Sequence, residues 1–140
     1  MAEELLFKDV EVGKEYPPFA YELEKEAVEK YISAVEDEQI TKLRSCGEVS
    51  HDAVPPAVAS IYFMQSYYEA FANRPKGNIH AKQNFRFLRE VHVGDRLTTL
   101  LKVKDKYVKK ERKFVLIDIL SQNQKNETVL TGTMTVIWAR

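Results

Sequence analysis

The sequence has one cysteine, five glycines and five prolines in 140 residues. The lone Cys46 excludes an intramolecular disulfide framework and an all-cysteine metal site, and it is typical of a reducing cytoplasm. So little glycine and proline excludes a collagen-like or low-complexity chain. No apolar run approaches the ~18 residues of a membrane span, and no signal peptide is apparent. These absences predict a soluble, cytoplasmic protein without membrane association.

Formal charge is balanced overall, at 21 bases and 21 acids, but it is not evenly distributed. Residues 1–52 hold 14 acids and 6 bases, and residues 53–140 hold 15 bases and 7 acids. Such polarity favours head-to-tail association or a basic face for an anionic ligand. Two solvated faces that merely differ in charge remain an equal alternative.

Hydrophobic spacing predicts a short strand, a helix, a long loop over 36–52, a buried helix and then four strands. The buried helix follows Pro55 and Pro56 and is apolar around most of its circumference. The strand around residues 114–120 is apolar on both faces, which is typical of a central strand. Short polar turns between the last strands indicate an antiparallel meander. Because only the sheet is large enough to cover the apolar helix, the sequence predicts one α+β domain over 1–140, a hotdog fold in which a curved antiparallel sheet wraps around a long central helix.

Several segments resemble the MaoC-like hotdog family, in particular its N-terminal, fatty-acid-synthase-type dehydratase branch. The family's R-x-V-x-V-G-D-x-L turn is matched by Arg89, Val91, Val93, Gly94, Asp95 and Leu97. The opening FKDVEVGKEYPPFAYEL and the segments YISAVEDEQ and AVPPAV fit as well, so the resemblance covers nearly the whole chain. It implies binding of acyl-CoA or acyl-carrier-protein thioesters and the chemistry of (R)-specific enoyl-CoA hydratases or 3-hydroxyacyl dehydratases. No cofactor and no metal is implied, because hydration requires neither.

Active members of that family carry an Asp and a His about five residues apart, and a glycine N–H before the central helix. Asp37 matches the Asp, but Lys42 stands where the His belongs and Pro56 stands where the glycine belongs. Lysine, with an ordinary pKa near ~10.4, is a poor general base at neutral pH. Proline has no N–H, although the neighbouring N–H of Ala57 or Val58 is a possible substitute for the oxyanion donor. The resemblance therefore predicts the catalytically degenerate subunit of a hetero-oligomeric hydratase or dehydratase, with Pro56, Ala57 and Val58 in substrate binding.

Two alternatives remain open at this point. One is a homomeric hydratase with an atypical site, in which His51 beside Asp52 supplies the missing base together with Asp37. The other is a hotdog module that binds acyl-CoA without turning it over. Tyr62, Tyr67 and Tyr68 on the central helix are predicted in the core or an interface, with an aromatic-lined acyl tunnel as the alternative.

The densest basic run includes Lys109, Lys110, Arg112 and Lys113. It is predicted either as a solvated hairpin that discourages edge aggregation, or as a patch for CoA phosphates or an acidic carrier protein. Nucleic acid is not an expected partner, because no Gly-rich loop or exposed stacking aromatics accompany the bases.

The strand 79–88 is the predicted seam of a homodimer, or of a heterodimer with an Asp/His-bearing MaoC-like subunit. Pairing two sheet edges would remove an exposed strand edge. Alternation along this strand places Gln83 on the buried face, where its amide requires hydrogen bonds across the sheet or the seam. The same alternation places His80 on the opposite face, with Lys82 and Arg86.

Overall fold

The computed structural model describes residues 3–35 and 37–140, and its core is one five-stranded sheet around one helix. Two 3₁₀ turns, Phe7–Asp9 and Pro56–Val58, accompany the longer elements. In chain order these are β1 (Phe19–Glu22), α1 (Lys25–Ala34), α2 (Glu38–Ser45), α3 (Ala59–Ala70), β2 (Ile79–Phe87), β3 (Arg96–Lys109), β4 (Arg112–Gln122) and β5 (Thr128–Trp138).

The sheet is antiparallel throughout, in the order β1-β3-β4-β5-β2. Its central strand is β4, as the sequence predicts. Val115, Ile117 and Ile119 of β4 are buried on the inner face, and Phe114 and Leu116 are half-buried on the outer face. The α+β class and the four consecutive C-terminal strands are confirmed.

Helix α3 lies against the inner face of this sheet and forms the centre of the core. Phe63, Tyr67 and Phe71 are almost fully buried there with sheet residues such as Leu101 and Val103. Each such aromatic or aliphatic side chain contributes about 1.5–3 kcal/mol by leaving water. The apolar surface of the helix thus contributes to one core together with the inner face of the sheet. Within the described residues, no helix is long and apolar enough to cross a membrane.

Strand β2 lies at the open edge of the sheet and contains a bulge that changes which side chains face inward. His80 pairs with Val136 and Lys82 with Thr135, so Ala81 is an extra residue. The prediction that His80 shares a face with Lys82 and Arg86 is therefore wrong, although its side chain is exposed. Its ring centroid lies 6.4 Å from that of Phe63, and its Nε2 lies 2.9 Å from Gln83 Oε1. Strict alternation could not reveal this inserted residue.

Gln83 makes the cross-sheet bond that the sequence predicts. Its Nε2 donates to the carbonyl oxygen of Thr133 on β5 at 3.4 Å and to that of Asn84 at 3.0 Å. The two strands approach closely at this point. A Cβ on Gly132 would lie 2.3 Å from the Asn84 carbonyl oxygen, so only glycine fits there.

The predicted loop over 36–52 is wrong in its first half, because residues Glu38–Ser45 form α2. Glu36 itself lies outside the described residues. Asp37 is the N-cap of this helix, and its Oδ1 accepts the Ile40 N–H at 3.1 Å. Only Ile40 of this short helix is buried, which explains why no clear apolar period marks it in the sequence.

Candidate functional site

A cavity of about 410 Å³ lies where α2, the start of α3 and the end of β2 meet. Its walls are apolar except for one hydroxyl and two charged side chains. Mostly apolar walls with few polar groups are typical of a small-molecule site. The lining residues are Ile40, Leu43, Val49, Ala53, Val54, Pro55, Pro56, Tyr62, Phe87, Leu88, Arg89, Glu90 and Val91.

Arg44 ties α2 to the rest of this site. Its Nε donates to the Ala53 carbonyl oxygen at 2.8 Å, and its Nη2 donates to the same oxygen. Its Nη1 lies 3.3 Å from Glu29 Oε1 on α1. Since Ile40 and Leu43 of α2 contribute to the cavity wall, Arg44 holds that wall in place. Sequence reasoning gave Arg44 no such role, because its acceptor is a backbone oxygen that carries no sequence signal.

Asp37 and Lys42 lie on the other side of α2 from the cavity. Both line a separate surface groove, together with Ile32, Glu38 and Thr41. The helix thus carries cavity-lining residues on one face and the predicted proton-transfer position on another. The Asp37 carboxylate is already engaged as the cap of α2. The structure does not bring Asp37 to the cavity.

The start of α3 provides one uncommitted backbone donor. Pro56 lines the cavity and has no N–H. The Val58 N–H donates to the Pro55 carbonyl oxygen at 3.0 Å. The Ala57 N–H has no backbone acceptor within residues 3–35 and 37–140. Of the two substitutes that the sequence suggests for the missing glycine N–H, only that of Ala57 lacks a backbone acceptor in the described part of the chain. Ala57 is exposed, however, and neither Ala57 nor Val58 is among the residues that line the cavity.

Tyr62 is the single hydroxyl-bearing residue of the cavity wall. It is 2% exposed, and its burial raises the pKa of its phenol well above the ordinary value. The phenol is therefore neutral at physiological pH. Its predicted burial on the central helix is confirmed. Tyr67 is also buried, whereas Tyr68 is 45% exposed.

A polar cleft of about 390 Å³ adjoins the cavity and shares Leu88, Arg89 and Glu90 with it. Glu90 Oε1 lies 3.2 Å from His92 Nε2, and Arg89 Nη1 lies 3.1 Å from Glu127 Oε2. The buried Asp95 of the predicted turn accepts the His92 N–H at 2.9 Å and the Gln124 amide at 3.0 Å, so its role is structural. The remaining cleft residues are Asn123 and Lys125.

His51 is exposed and lines neither the cavity nor the cleft. The structure does not bring it together with Asp37 in a common pocket. In the described part of the chain, no cluster of three or more His, Cys, Asp or Glu side chains is arranged to hold a metal ion.

The basic residues Lys109, Lys110 and Arg112 lie at the far end of the sheet. They form the hairpin between β3 and β4, where Lys110 and Glu111 have positive φ. Strand β3 starts beside the cleft at Arg96 and reaches this hairpin at Lys109. Thirteen residue steps of about 3.3 Å separate the two ends by roughly 40 Å. The hairpin is thus remote from the cavity of its own chain.

Comparisons with known proteins agree on one fold. A family model described as "FAS1-like, dehydratase domain region" matches residues 11–132. A UPF0336 protein of Saccharopolyspora erythraea is 24% identical over 138 residues, covering 90% of this chain and 87% of the relative.

Two solved structures have the same fold at low identity. One is the 3R-hydroxyacyl-ACP dehydratase complex HadBC of Mycobacterium tuberculosis, with a TM-score of 0.77 at 18% identity over 90% of this chain and 96% of that chain. The other is the R-hydratase PhaJ1 of Pseudomonas aeruginosa, with a TM-score of 0.75 at 18% identity over 98% and 87%. The predicted hotdog fold and the MaoC-like resemblance are confirmed.

We predict that Asp37 stabilises the fold as a helix cap. Asp37→Ala should lower the free energy of unfolding by about 1 kcal/mol, because the Ile40 N–H loses its acceptor. Asp37→Ser should retain most of that stability, because serine also caps helices. Urea denaturation measures both, with the exposed Glu38→Ala as control. Equal stability of Asp37→Ala and wild type would contradict this role.

Proposed function

Since this chain belongs to the FAS1-like dehydratase domain region family, we propose that it binds the acyl group of an acyl-CoA or acyl-carrier-protein thioester in the cavity beside α2. We further propose that it is the catalytically degenerate subunit of a hetero-oligomeric hydratase or dehydratase. The observation that carries this proposal is a cavity with a mostly apolar wall that includes neither Asp37 nor a histidine.

The shape and polarity of the site fit a thioester. The apolar cavity suits an acyl chain, and the adjoining cleft suits a polar arm that leaves it past Arg89 and Glu90. The cleft carries both signs of charge, with Arg89 and Lys125 facing Glu90 and Glu127, so it favours the neutral amides of a pantetheine arm over a phosphate cluster.

The start of α3 suits the thioester carbonyl. A backbone N–H at a helix start stabilises developing negative charge on an oxygen. The Ala57 N–H, next to the cavity-lining Pro56, is the donor proposed for that oxygen, since Pro56 has no N–H and that of Val58 is bound to Pro55. Pro56 then contributes to the apolar wall, and Val58 is a buried support behind it.

The Asp/His pair of active family members is the part of the chemistry that this chain lacks. Asp37 caps α2, Lys42 is exposed beside it, and both lie in a groove other than the cavity. A partner with an intact Asp/His pair would supply the water activation and the α-carbon proton transfer. The HadBC relative is itself described as a complex.

We predict that the purified chain alone is nearly inactive on enoyl-CoA while it binds the thioester. General acid and base groups each contribute about 10²–10⁴ in rate, so their absence should leave hydration of crotonyl-CoA at least about 10²-fold slower than that of an active relative. Adding an Asp/His-bearing MaoC-like subunit should restore the rate. Stopped-flow absorbance measures turnover, and calorimetry measures binding.

The two alternatives give different results in the same experiment. Full activity of the chain alone, abolished by Asp37→Ala or His51→Ala, would contradict the proposal and favour the homomeric hydratase with an atypical site. Binding that persists without turnover in the presence of every Asp/His-bearing partner would favour the non-catalytic module.

We predict that the chain associates through β2, as a homodimer or with the proposed partner subunit. The outer edge of β2 is unpaired within the chain, and Ile79 at its start is 56% exposed. Ile79→Lys should weaken the dimer at least about tenfold, because it places charge at the seam. Val108 is likewise apolar and exposed but lies at the remote hairpin, so Val108→Lys should not affect the dimer. Light scattering that gives 16.2 kDa for the wild-type chain, alone and with the partner, would contradict this prediction.

We predict that Lys109, Lys110 and Arg112 bind the acidic surface of a carrier protein or the CoA phosphates of a neighbouring subunit's ligand. All three are exposed on the hairpin. Changing them to Glu should reduce affinity for the acyl-carrier protein or acyl-CoA at least about tenfold at low salt, with a smaller effect at high salt. Reversal of Lys8, Lys14 and Lys25 is the control. Equal affinity of the wild type and the charge-reversed variant would contradict this prediction and favour the alternative, a solvated hairpin without a binding role.

A cytoplasmic location is part of this proposal, because Cys46 is exposed and unpaired as a thiol. Neither a cofactor nor a metal is required, since addition of water to an activated enoyl thioester is acid–base chemistry.

A further inference from the structure

We infer that two copies of this chain pack against each other through the outer face of the sheet, related by a two-fold axis that runs parallel to the strands, between β4 and β5. This interface differs from the edge of β2, and the inference does not depend on the proposed function. Two observations carry it: an apolar row on the outer face, and an acid and a base that the two-fold axis brings together.

The apolar row crosses the outer face of the sheet from β3 to β2. It consists of the cross-strand neighbours Tyr107, Phe114, Ile137 and Ile79. The rings of Tyr107 and Phe114 are stacked, with their centroids 5.1 Å apart. Ile79 is 56% exposed and Tyr107 is 39% exposed, so the described part of the chain leaves this row partly in water. The solvated face of an antiparallel sheet is ordinarily polar, and a contiguous apolar row on it therefore indicates a contact surface.

An acid and a base lie at the two ends of the next row on the same face. That row consists of Asp105, Leu116, Thr135 and Lys82, in register across β3, β4, β5 and β2. Three strand spacings, or about 14 Å, separate the backbones of Asp105 and Lys82, which is too far for an ion pair within one chain. Both side chains are exposed, and within residues 3–35 and 37–140 neither forms a salt bridge.

A two-fold axis parallel to the strands makes this face complementary to itself. Rotation about that axis places β3 over β2 of the second copy, and β4 over β5. Asp105 then faces Lys82 of the partner subunit, and the reciprocal pair forms at the other end of the row. The apolar row faces the same row in reverse order. Such reciprocal matching is what an isologous contact between identical chains requires.

The distance between packed sheets suits these pairs. Two sheets that pack face to face lie about 10 Å apart, with their strands within about 30° of each other. A lysine and an aspartate side chain together span that gap. The aspartate also keeps a free oxygen for the lysine, because only Asp105 Oδ1 is engaged, by the Lys106 N–H at 2.8 Å.

The next row is compatible with the same axis. It consists of Lys102, Asp118, Thr133 and Asn84. Lys102 faces Asn84 of the partner subunit, and Asp118 faces Thr133 of the partner subunit. Asp118 already accepts the Thr133 hydroxyl of its own chain at 3.0 Å. This row therefore opposes no like charges, and it adds no repulsion to the interface.

The area of the face is sufficient for a specific contact. A fourth row begins at Leu100 on β3 and ends at Arg86 on β2, so the aliphatic part of each arginine covers a leucine of the other copy. Four strands and four rows measure about 19 Å by 27 Å, or roughly 500 Å² in each copy. The pair therefore buries roughly 1,000 Å², which is what a specific interface needs at minimum.

The test reverses the charge at each end of the Asp105–Lys82 row. In Asp105→Lys and in Lys82→Asp, both pairs between two identical chains become like-charged, so each variant alone should associate at least about tenfold more weakly than the wild type. An equimolar mixture of the two variants should associate as tightly as the wild type, because opposite charges then meet at both ends. Sedimentation velocity over a concentration series measures each dissociation constant.

Pairing at the edge of β2 does not give this result. In an edge dimer the nearest strand of the partner subunit is its own β2, whereas Asp105 lies on β3, three strands away. Weakening by Asp105→Lys therefore reports on the outer face alone. Asp9→Lys and Lys25→Asp make the same charge changes at exposed positions outside the sheet, and they should leave association unchanged, singly and mixed.

Three results would overturn this inference. They are a wild-type chain that stays at 16.2 kDa throughout the series, wild-type association in both single variants, and a loss that mixing the variants does not restore. Urea denaturation confirms that each variant is folded before the mixtures are compared. None of these results bears on the proposed function, because the cavity lies beside α2 and the start of α3 rather than on the outer face.

Discussion

The burial of α3 is the constraint on which the rest of the structure depends. This helix is apolar around most of its circumference, and Tyr62 and Phe63 are almost completely removed from water. Only a sheet wide enough to cover several sides of a helix can satisfy such a surface. The sheet supplies it with the inner faces of β3, β4 and β5, and β4 occupies the centre because both of its faces are apolar.

The cavity lies where the sheet no longer covers α3. At the N-terminal end of α3 the helix is flanked by the 52–56 segment, and the sheet gives way to the short helix α2. Helix α2 has little apolar surface of its own, so its position depends on Arg44 and the Ala53 carbonyl oxygen. A wall held by the polar contacts of one arginine and by one buried residue is easier to displace than a packed core element. The cavity therefore has one wall that is less firmly packed than the core.

The fold was predictable because its signals are strong and local. Apolar residues on both faces predicted β4 as the central strand, and the apolar circumference of α3 predicted the central helix. The failures have equally specific causes. Helix α2 has one buried residue and hence no visible period, and the extra residue Ala81 reverses the faces of β2 at His80. The site was less predictable than the fold. Of the predicted site residues, Pro56 lines the cavity, whereas Asp37, His51, Ala57 and Val58 do not. For Asp37 the reason is that motif spacing cannot tell which face of a short helix meets a pocket.

The two faces of α2 explain why the cavity has no acid–base pair from this helix under the proposed function. Lys42 shares the outer groove with Asp37, and the cavity wall is formed from Ile40 and Leu43. A histidine at position 42 alone would stand in that outer groove, away from the acyl group. Recovery of acid–base chemistry would require α2 to rotate about its axis, against the two Arg44 hydrogen bonds and the buried Ile40. The cavity wall and the capping carboxylate are thus stabilised by the same helix orientation, which holds Asp37 and Lys42 away from the cavity.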